Sequence, residues 1–215
     1  MGVKERKQRE KQARTNQIQA AAKEIFLQKG YAATTMEDIA SRVELSVATI
    51  YSYFKNKGEL YASLNLITLK FLEEQIEMVY SDKTLGVEEK IIGFKDAMYK
   101  TFLYEPLILK NVLHLQVVNA FAEISDDLIE KINDMTRRTL RMMAAVLQQG
   151  ASQGIFCGGH VMADTDILWS TFTGLLLWEE SKKRINPARD YFKTTLDRAF
   201  DLLLLGLQKK CNPEK

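Results

Sequence analysis

The sequence predicts an all-α protein of about nine helices, with a small N-terminal three-helix unit carried on a larger C-terminal helical bundle. Apolar residues recur at three- and four-residue spacing along nearly the whole chain, and no stretch alternates with the period of two that marks a strand. Only three prolines and eleven glycines interrupt the 215 residues, so long elements are expected. Apolar residues make up 46% of the chain and charged residues 27%, an ordinary globular mixture with length enough for a sizeable core.

The first helix shows an apolar face at Ile18, Ala21, Ala22, Ile25 and Phe26 and ends at Gly30, a residue suited to a left-handed C′ position. Thr34 or Thr35 can cap a short helix from Met36 to Val43, with Asp38 supporting the cap. Ser46 can cap the next, Val47 to Phe54, whose Ile50 and Phe54 should face inward. Asn56 starts a long helix from about Lys57 to Tyr80. After the loop Ser81 to Gly86, Val87 to Tyr104 is helical and stops at Pro106. Leu107 to Ala122 is apolar nearly all round and should be buried. Asp126 to about Gln153 is long and amphipathic, and "GIFCGGH" (Gly154 to His160) is a loop. Asp164 to Arg184 and Pro187 to Lys210 form a final pair, with Pro187 in a favoured first-turn position.

Two cysteines, Cys157 and Cys211, do not make a disulfide framework and fit a reducing compartment. The opening residues have no apolar signal region, and Arg6 stands where a myristoylation motif wants Ser or Thr. The apolar run Ile167 to Trp178 is well short of the roughly 20 residues that span a bilayer. The expectation is a soluble, cytoplasmic protein without membrane contact. No glycine-rich phosphate loop and no Ser/His/Asp ordering argues for an enzyme. Cys157 and His160 form a C-x-x-H pair, which is two ligands and not a metal site. No cofactor, metal or catalytic residue is expected.

The net charge of +2 is unevenly spread. Residues 1–60 hold eleven Lys/Arg against seven Asp/Glu, and residues 61–215 hold nineteen against twenty-one. The excess lies in residues 1–16, where Lys4, Arg6, Lys7, Arg9, Lys11 and Arg14 face only Glu5 and Glu10. Such a basic arm suits a phosphate backbone, or is simply a solvated terminus.

The stretch from Ile18 to Leu64 resembles the DNA-binding domain of the tetracycline-repressor (TetR/AcrR) family. The family pattern I-x-x-A-A-x-x-x-F-x-x-x-G-Y-x-x-T-T-x-x-x-I-A is met at Ala21, Ala22, Phe26, Gly30, Tyr31, Thr34, Thr35, Ile39 and Ala40. Its continuation, S-x-x-T-x-Y-x-Y-F-x-x-K-x-x-L, is met at Ser46, Thr49, Tyr51, Tyr53, Phe54, Lys57 and Leu60. The resemblance implies a helix-turn-helix domain over residues 17–62, behind the arm of residues 1–16. It implies double-stranded operator DNA as the partner, with contacts from Thr34, Thr35, Ser46, Val47, Ala48, Thr49, Tyr51, Tyr53, Lys55 and Lys57. Small side chains at Val47 and Ala48 allow close approach to thymine methyls, and hydroxyls on Thr49, Tyr51 and Tyr53 can reach phosphates. One departure stands in the turn "VEL": Glu44 replaces a glycine that takes positive φ, which costs a non-glycine residue about 1 kcal/mol.

Residues 63–215 are then expected to bind a small, largely hydrophobic effector and to form a homodimer. Candidate effector residues are Phe94, Met98, Phe102, His114, Val118, Phe121, Met142, Val146, Trp169, Phe172 and Leu176, for each of which plain core packing is the alternative. The run "DILWSTFTGLLLWE" from Asp166 and the apolar stripe of the last helix suit a four-helix dimer interface as well as an internal core. The dimer candidates are Leu168, Leu175, Trp178, Phe192, Leu196, Phe200, Leu203 and Leu207. The function implied is a ligand-responsive transcriptional regulator: a repressor released from a palindromic operator, or an activator of the same fold. A helical adaptor without DNA binding would not need the residues from Thr34 to Lys57.

Overall fold

The computed structural model describes residues 2–106, 124–185 and 190–208. Among them are eight helices and no strand: α1 (Val3–Ala33), α2 (Met36–Arg42), α3 (Val47–Tyr51), α4 (Lys57–Ser81), α5 (Val87–Tyr104), α6 (Asp126–Ser152), α7 (Val161–Ile185) and α8 (Phe192–Gln208). The helix expected over Leu107 to Ala122, and the expected start at Pro187, lie outside the described residues. Among the described residues, no helix is long and apolar enough to cross a membrane.

Residues 2–67 and 124–131 form one compact unit, and residues 68–106, 132–185 and 190–208 a second. In the first unit, Ile18, Ala22 and Phe26 of α1 are buried with Ile39 of α2, Ile50 and Phe54 around α3, and Leu60 and Leu64 of α4. Each large side chain removed from water contributes about 1.5–3 kcal/mol. Tyr61 meets Phe26 edge-on at 4.9 Å and Tyr31 at 5.0 Å, which ties α4 to the end of α1.

Of residues 1–16, expected as a separate arm, those described run into the first helix: α1 begins at Val3. Nothing between Val3 and Lys29 breaks a helix, and local pairs support it. Glu5 accepts from the Gly2 N–H at 3.0 Å, Arg6 donates to Glu10 at 2.8 Å, and Gln12 to Asn16 at 2.8 Å. Gly30 takes the positive φ expected of it (78°), with ψ at 164°, and kinks the chain before α2.

The second unit packs one continuous core. Leu72 and Ile76 of α4, Ile91, Phe94 and Met98 of α5, and Met143 and Val146 of α6 meet Leu168, Phe172 and Leu176 of α7 and Phe192, Leu196 and Phe200 of α8. Lys95 of α5, nearly buried, donates to Asp197 of α8 at 2.5 Å. Just beyond α6, Gly154 (φ 71°) lets the Ile155 N–H reach back to the Gly150 carbonyl at 3.0 Å and folds Phe156 onto Gly150.

Candidate nucleic-acid interface

The two short helices are fixed by their caps. Thr35 and Asp38 form a reciprocal capping box at 3.1 Å in each direction. Asp38 also accepts from Lys29 at 2.6 Å, and that bond together with those from Thr35 holds its carboxyl below the ordinary value of 3.8. Ser46 caps α3 by accepting from the Thr49 N–H at 3.1 Å, and the Ser46 and Thr49 hydroxyls lie 2.8 Å apart. Asn56 plays the same part for α4, accepting from the Glu59 N–H at 2.7 Å.

Between α2 and α3 the chain reverses at Glu44, whose φ of 55° is the one positive value outside glycine among the described residues. The Leu45 N–H closes the turn on the Ala40 carbonyl at 3.0 Å. The left-handed position expected from the sequence is therefore real, and a charged residue occupies it. α3 stops at Tyr51, three residues before the expected end at Phe54. The chain stays wound beyond it, because Tyr53 and Phe54 N–H groups both bond the Ile50 carbonyl at 3.0 Å. Ile50 and Phe54 point inward as expected.

The outer face of this pair carries Thr35, Ser46, Ala48, Tyr51 and Lys55, all exposed, with Val47, Thr49 and Tyr53 half-buried beside them. Two expected contacts are corrected. Thr34 is 1% exposed and its hydroxyl donates to the Gly30 carbonyl at 2.7 Å, so the side chain completes the end of α1. Lys57 is drawn inward: its ammonium donates to the Tyr31 and Thr34 carbonyls, at 2.8 Å each, and lies 4.6 Å from the centre of the Tyr31 ring. A lysine that satisfies the last carbonyls of α1 in this way is a structural cap. Lys7, Lys11 and Arg14, read from the sequence as part of a basic arm and not as individual contacts, share a groove with Ser52 and Tyr53. Their spacing of four and three residues in the opening basic run was the available signal.

In the second unit, Phe94, Met98, Val146, Phe172 and Leu176 are fully buried in the core, with Phe102, Met142 and Trp169 packed against it. The ring of Phe192 stands between Phe102 at 4.6 Å and Phe172 at 6.2 Å, so these rings fill one another's space. His114, Val118 and Phe121 lie outside the described residues. Open volume occurs elsewhere. A mostly apolar cavity of about 440 Å³ is lined by Cys157, His160, Asp164, Ile167, Leu203 and Leu207 among others. Among the described residues, no three His, Cys, Asp or Glu side chains group to hold a metal ion.

The dimer candidates also divide. Leu168, Phe192, Leu196 and Phe200 are at most 2% exposed and belong to the chain's own core, which corrects their assignment to an interface. The strongest apolar stripe of a helix goes to its own core, and a sequence reading picks that stripe first. Leu175, Leu203 and Leu207 are half-buried, and Trp178 is exposed. Also exposed are Ile167 and Leu177 of α7 and Leu202 and Leu205 of α8.

Residues 18–64 match the family model described as bacterial regulatory proteins, tetR family. The chain is 25% identical over 168 residues to the HTH-type transcriptional regulator QacR of Staphylococcus aureus, covering 75% of this chain and 83% of that one. It is 25% identical over 124 residues to the biofilm operon icaADBC negative transcriptional regulator IcaR of Staphylococcus aureus, covering 56% and 62%. In fold it is similar to the transcriptional regulator FadR of Bacillus subtilis, solved in complex with stearoyl-CoA, with a TM-score of 0.67 and 21% identity over 88% of this chain and 97% of that one. A capped helix-turn-helix over the matched residues, and an all-helical second unit, agree with these likenesses: residues 18–64 are a domain of the tetR family of bacterial regulatory proteins.

Proposed function

We propose that this protein is a homodimeric transcriptional repressor that binds a palindromic operator and is released by a small, largely hydrophobic effector. The observation that carries the DNA reading is the outward face of α2 and α3. Val47 and Ala48 at the start of α3 are small enough for base edges, and Ser46, Thr49, Tyr51 and Lys55 surround them with phosphate-seeking groups. Negative regulation is supported by the likeness to IcaR.

The dimer reading rests on α7 and α8. Their outer surface combines Ile167, Leu177, Trp178, Leu202 and Leu205 with two glycines, Gly174 and Gly206, where an added Cβ would meet nothing within 4 Å among the described residues. A glycine inside a helix costs about 1 kcal/mol relative to alanine, and no described residue requires one here. Close approach by the same helices of a second copy does. Twofold pairing then calls for half-sites about 34–36 Å apart or a multiple of that.

The effector reading rests on the fold shared with a regulator solved with stearoyl-CoA; the apolar cavity beside α7 and α8 shares Ile167, Leu202 and Gly206 with the surface given to the dimer and is not assigned to the effector. Effector and DNA oppose each other reciprocally if they favour different states. Selection of bound DNA from a random pool, followed by sedimentation with and without a long-chain acyl-CoA, tests the whole reading. A dimer on a palindrome, released by the ligand, is expected. Failure of the intact protein to select any DNA sinks it.

A further inference from the structure

We infer that the first turns of α1 and the end of α3 form a second DNA contact, a basic groove that holds the phosphodiester backbone. The inference rests on the reading of the chain as a DNA-binding regulator and adds a site to it.

The groove encloses about 490 Å³ and is lined by Lys7, Glu10, Lys11, Arg14, Ser52 and Tyr53. Residues 7, 11 and 14 fall on one face of a helix. They span about 10 Å along its axis at 1.5 Å per residue, close to three phosphate-to-phosphate steps of one strand at about 3.4 Å of axial rise each. Glu10 is the one carboxylate present, and it accepts from Arg6 at 2.8 Å, so its charge is paired. Arg14 donates to Gln17 at 2.8 Å and keeps its charge. On the opposite wall the Ser52 hydroxyl is turned to the Thr49 carbonyl at 2.7 Å, which leaves Tyr53 to supply the donor.

Packing does not account for this part of α1. From Gly2 to Arg14 every residue is exposed, so about three turns of helix bury no core side chain. Their ordering places cations beside the helix that reads the DNA, and a polyanion that follows that helix must pass them. Fixed phosphates repeat along a duplex, and a helical row of cations matches such a repeat where a coiled terminus would not.

The test compares the intact protein with K7Q/K11Q/R14Q and with a charge-matched control, K70Q/K83Q/K100Q, on the DNA that the intact protein selects. Glutamine is as good a helix former as lysine or arginine, and far-ultraviolet circular dichroism confirms that α1 persists. Each lost phosphate contact reduces the slope of log affinity against log salt by about 0.9, or about 2.7 per bound chain for three contacts. Between about 50 and 200 mM salt, the intact protein should therefore lose about 40-fold more affinity per chain than the triple variant. Hydroxyl-radical protection of the backbone flanking each half-site should disappear in the triple variant alone. An unchanged slope, or an equal fall in the control, overturns the contact while leaving the regulator reading standing. If the intact protein selects no DNA, both fall together.

Discussion

Replacing Lys57 with methionine separates a structural role from a DNA-contacting one. The ammonium donates to the Tyr31 and Thr34 carbonyls at 2.8 Å each and sits over the Tyr31 ring at 4.6 Å. Methionine keeps the apolar stem and removes the donors. A hydrogen bond to a charged group contributes about 1.5–3 kcal/mol, and a cation–π contact about 0.5–1 kcal/mol at an exposed site. Lys57 is half-exposed, so water replaces part of what is lost, and the three contacts together should be worth about 2 kcal/mol. That is a large share of the roughly 5–15 kcal/mol that stabilises a domain. Urea unfolding followed by circular dichroism should show a lower midpoint with an unchanged slope m. The salt dependence of DNA binding, measured where the variant is folded, should not change. Lys55→Gln should show the reverse: an unchanged midpoint and a salt slope lower by about 0.9 per chain. A Lys57→Met protein with an intact midpoint and a reduced salt slope would refute the cap and put that lysine on a phosphate.

Three further outcomes are expected. Glu44→Gly should raise stability by about 0.5–1 kcal/mol, because relief of the left-handed backbone exceeds the entropy that glycine adds to the unfolded chain; a lower urea midpoint contradicts this. Gly150→Ala should destabilise by about 1–3 kcal/mol despite better helix propensity, since its Cβ would lie 2.1 Å from Cδ2 of Phe156; the sign should reverse in a Phe156→Ala background. Asp197→Asn should lower stability by about 1 kcal/mol, discounted for the partly exposed carboxylate. Burial opposes the Asp197 charge, but bonds from Lys193 and Lys95 outweigh it and hold the carboxyl below 3.8. Burial likewise opposes the Lys95 charge, yet Asp197 and Asp96 raise it above 10.5. The pair's contribution is thus present above pH 3.8 and lost as pH falls through the lowered value. It is also present below pH 10.5 and lost as pH rises through the raised one. The gap in urea midpoint between Asp197→Asn and the parent should be flat across neutral pH and close at either extreme.

Local chemistry made much of the first unit legible in the sequence. Gly30, Thr35 with Asp38, Ser46 and Asn56 act through neighbours within four residues, and all four take the roles that their residue types require. Glu44 was readable because one position of the turn tolerates few residues. Lys57 was not, because its partners lie 23 to 26 residues away and only the folded chain brings them together. The same holds for Phe192, Leu196 and Phe200: a stripe on a helix shows that a face is covered, and not by which molecule. Lys7, Lys11 and Arg14 carried a spacing signal, but their groove exists only because α3 ends beside them.

The bare glycines of α7 and α8 bear on how such a regulator coexists with its paralogues. A cell that holds several proteins of one fold must keep their subunits from exchanging, or half-sites will be read by mixed pairs. If two copies pair through α7 and α8 as proposed, Gly174 and Gly206, where an added Cβ would meet no described residue within 4 Å, favour a partner shaped for close helix approach. A paralogue with a bulkier residue at either place would be held off by sterics alone, without any repulsive charge. The two smallest residues on that surface would then keep this protein's subunits paired with their own kind.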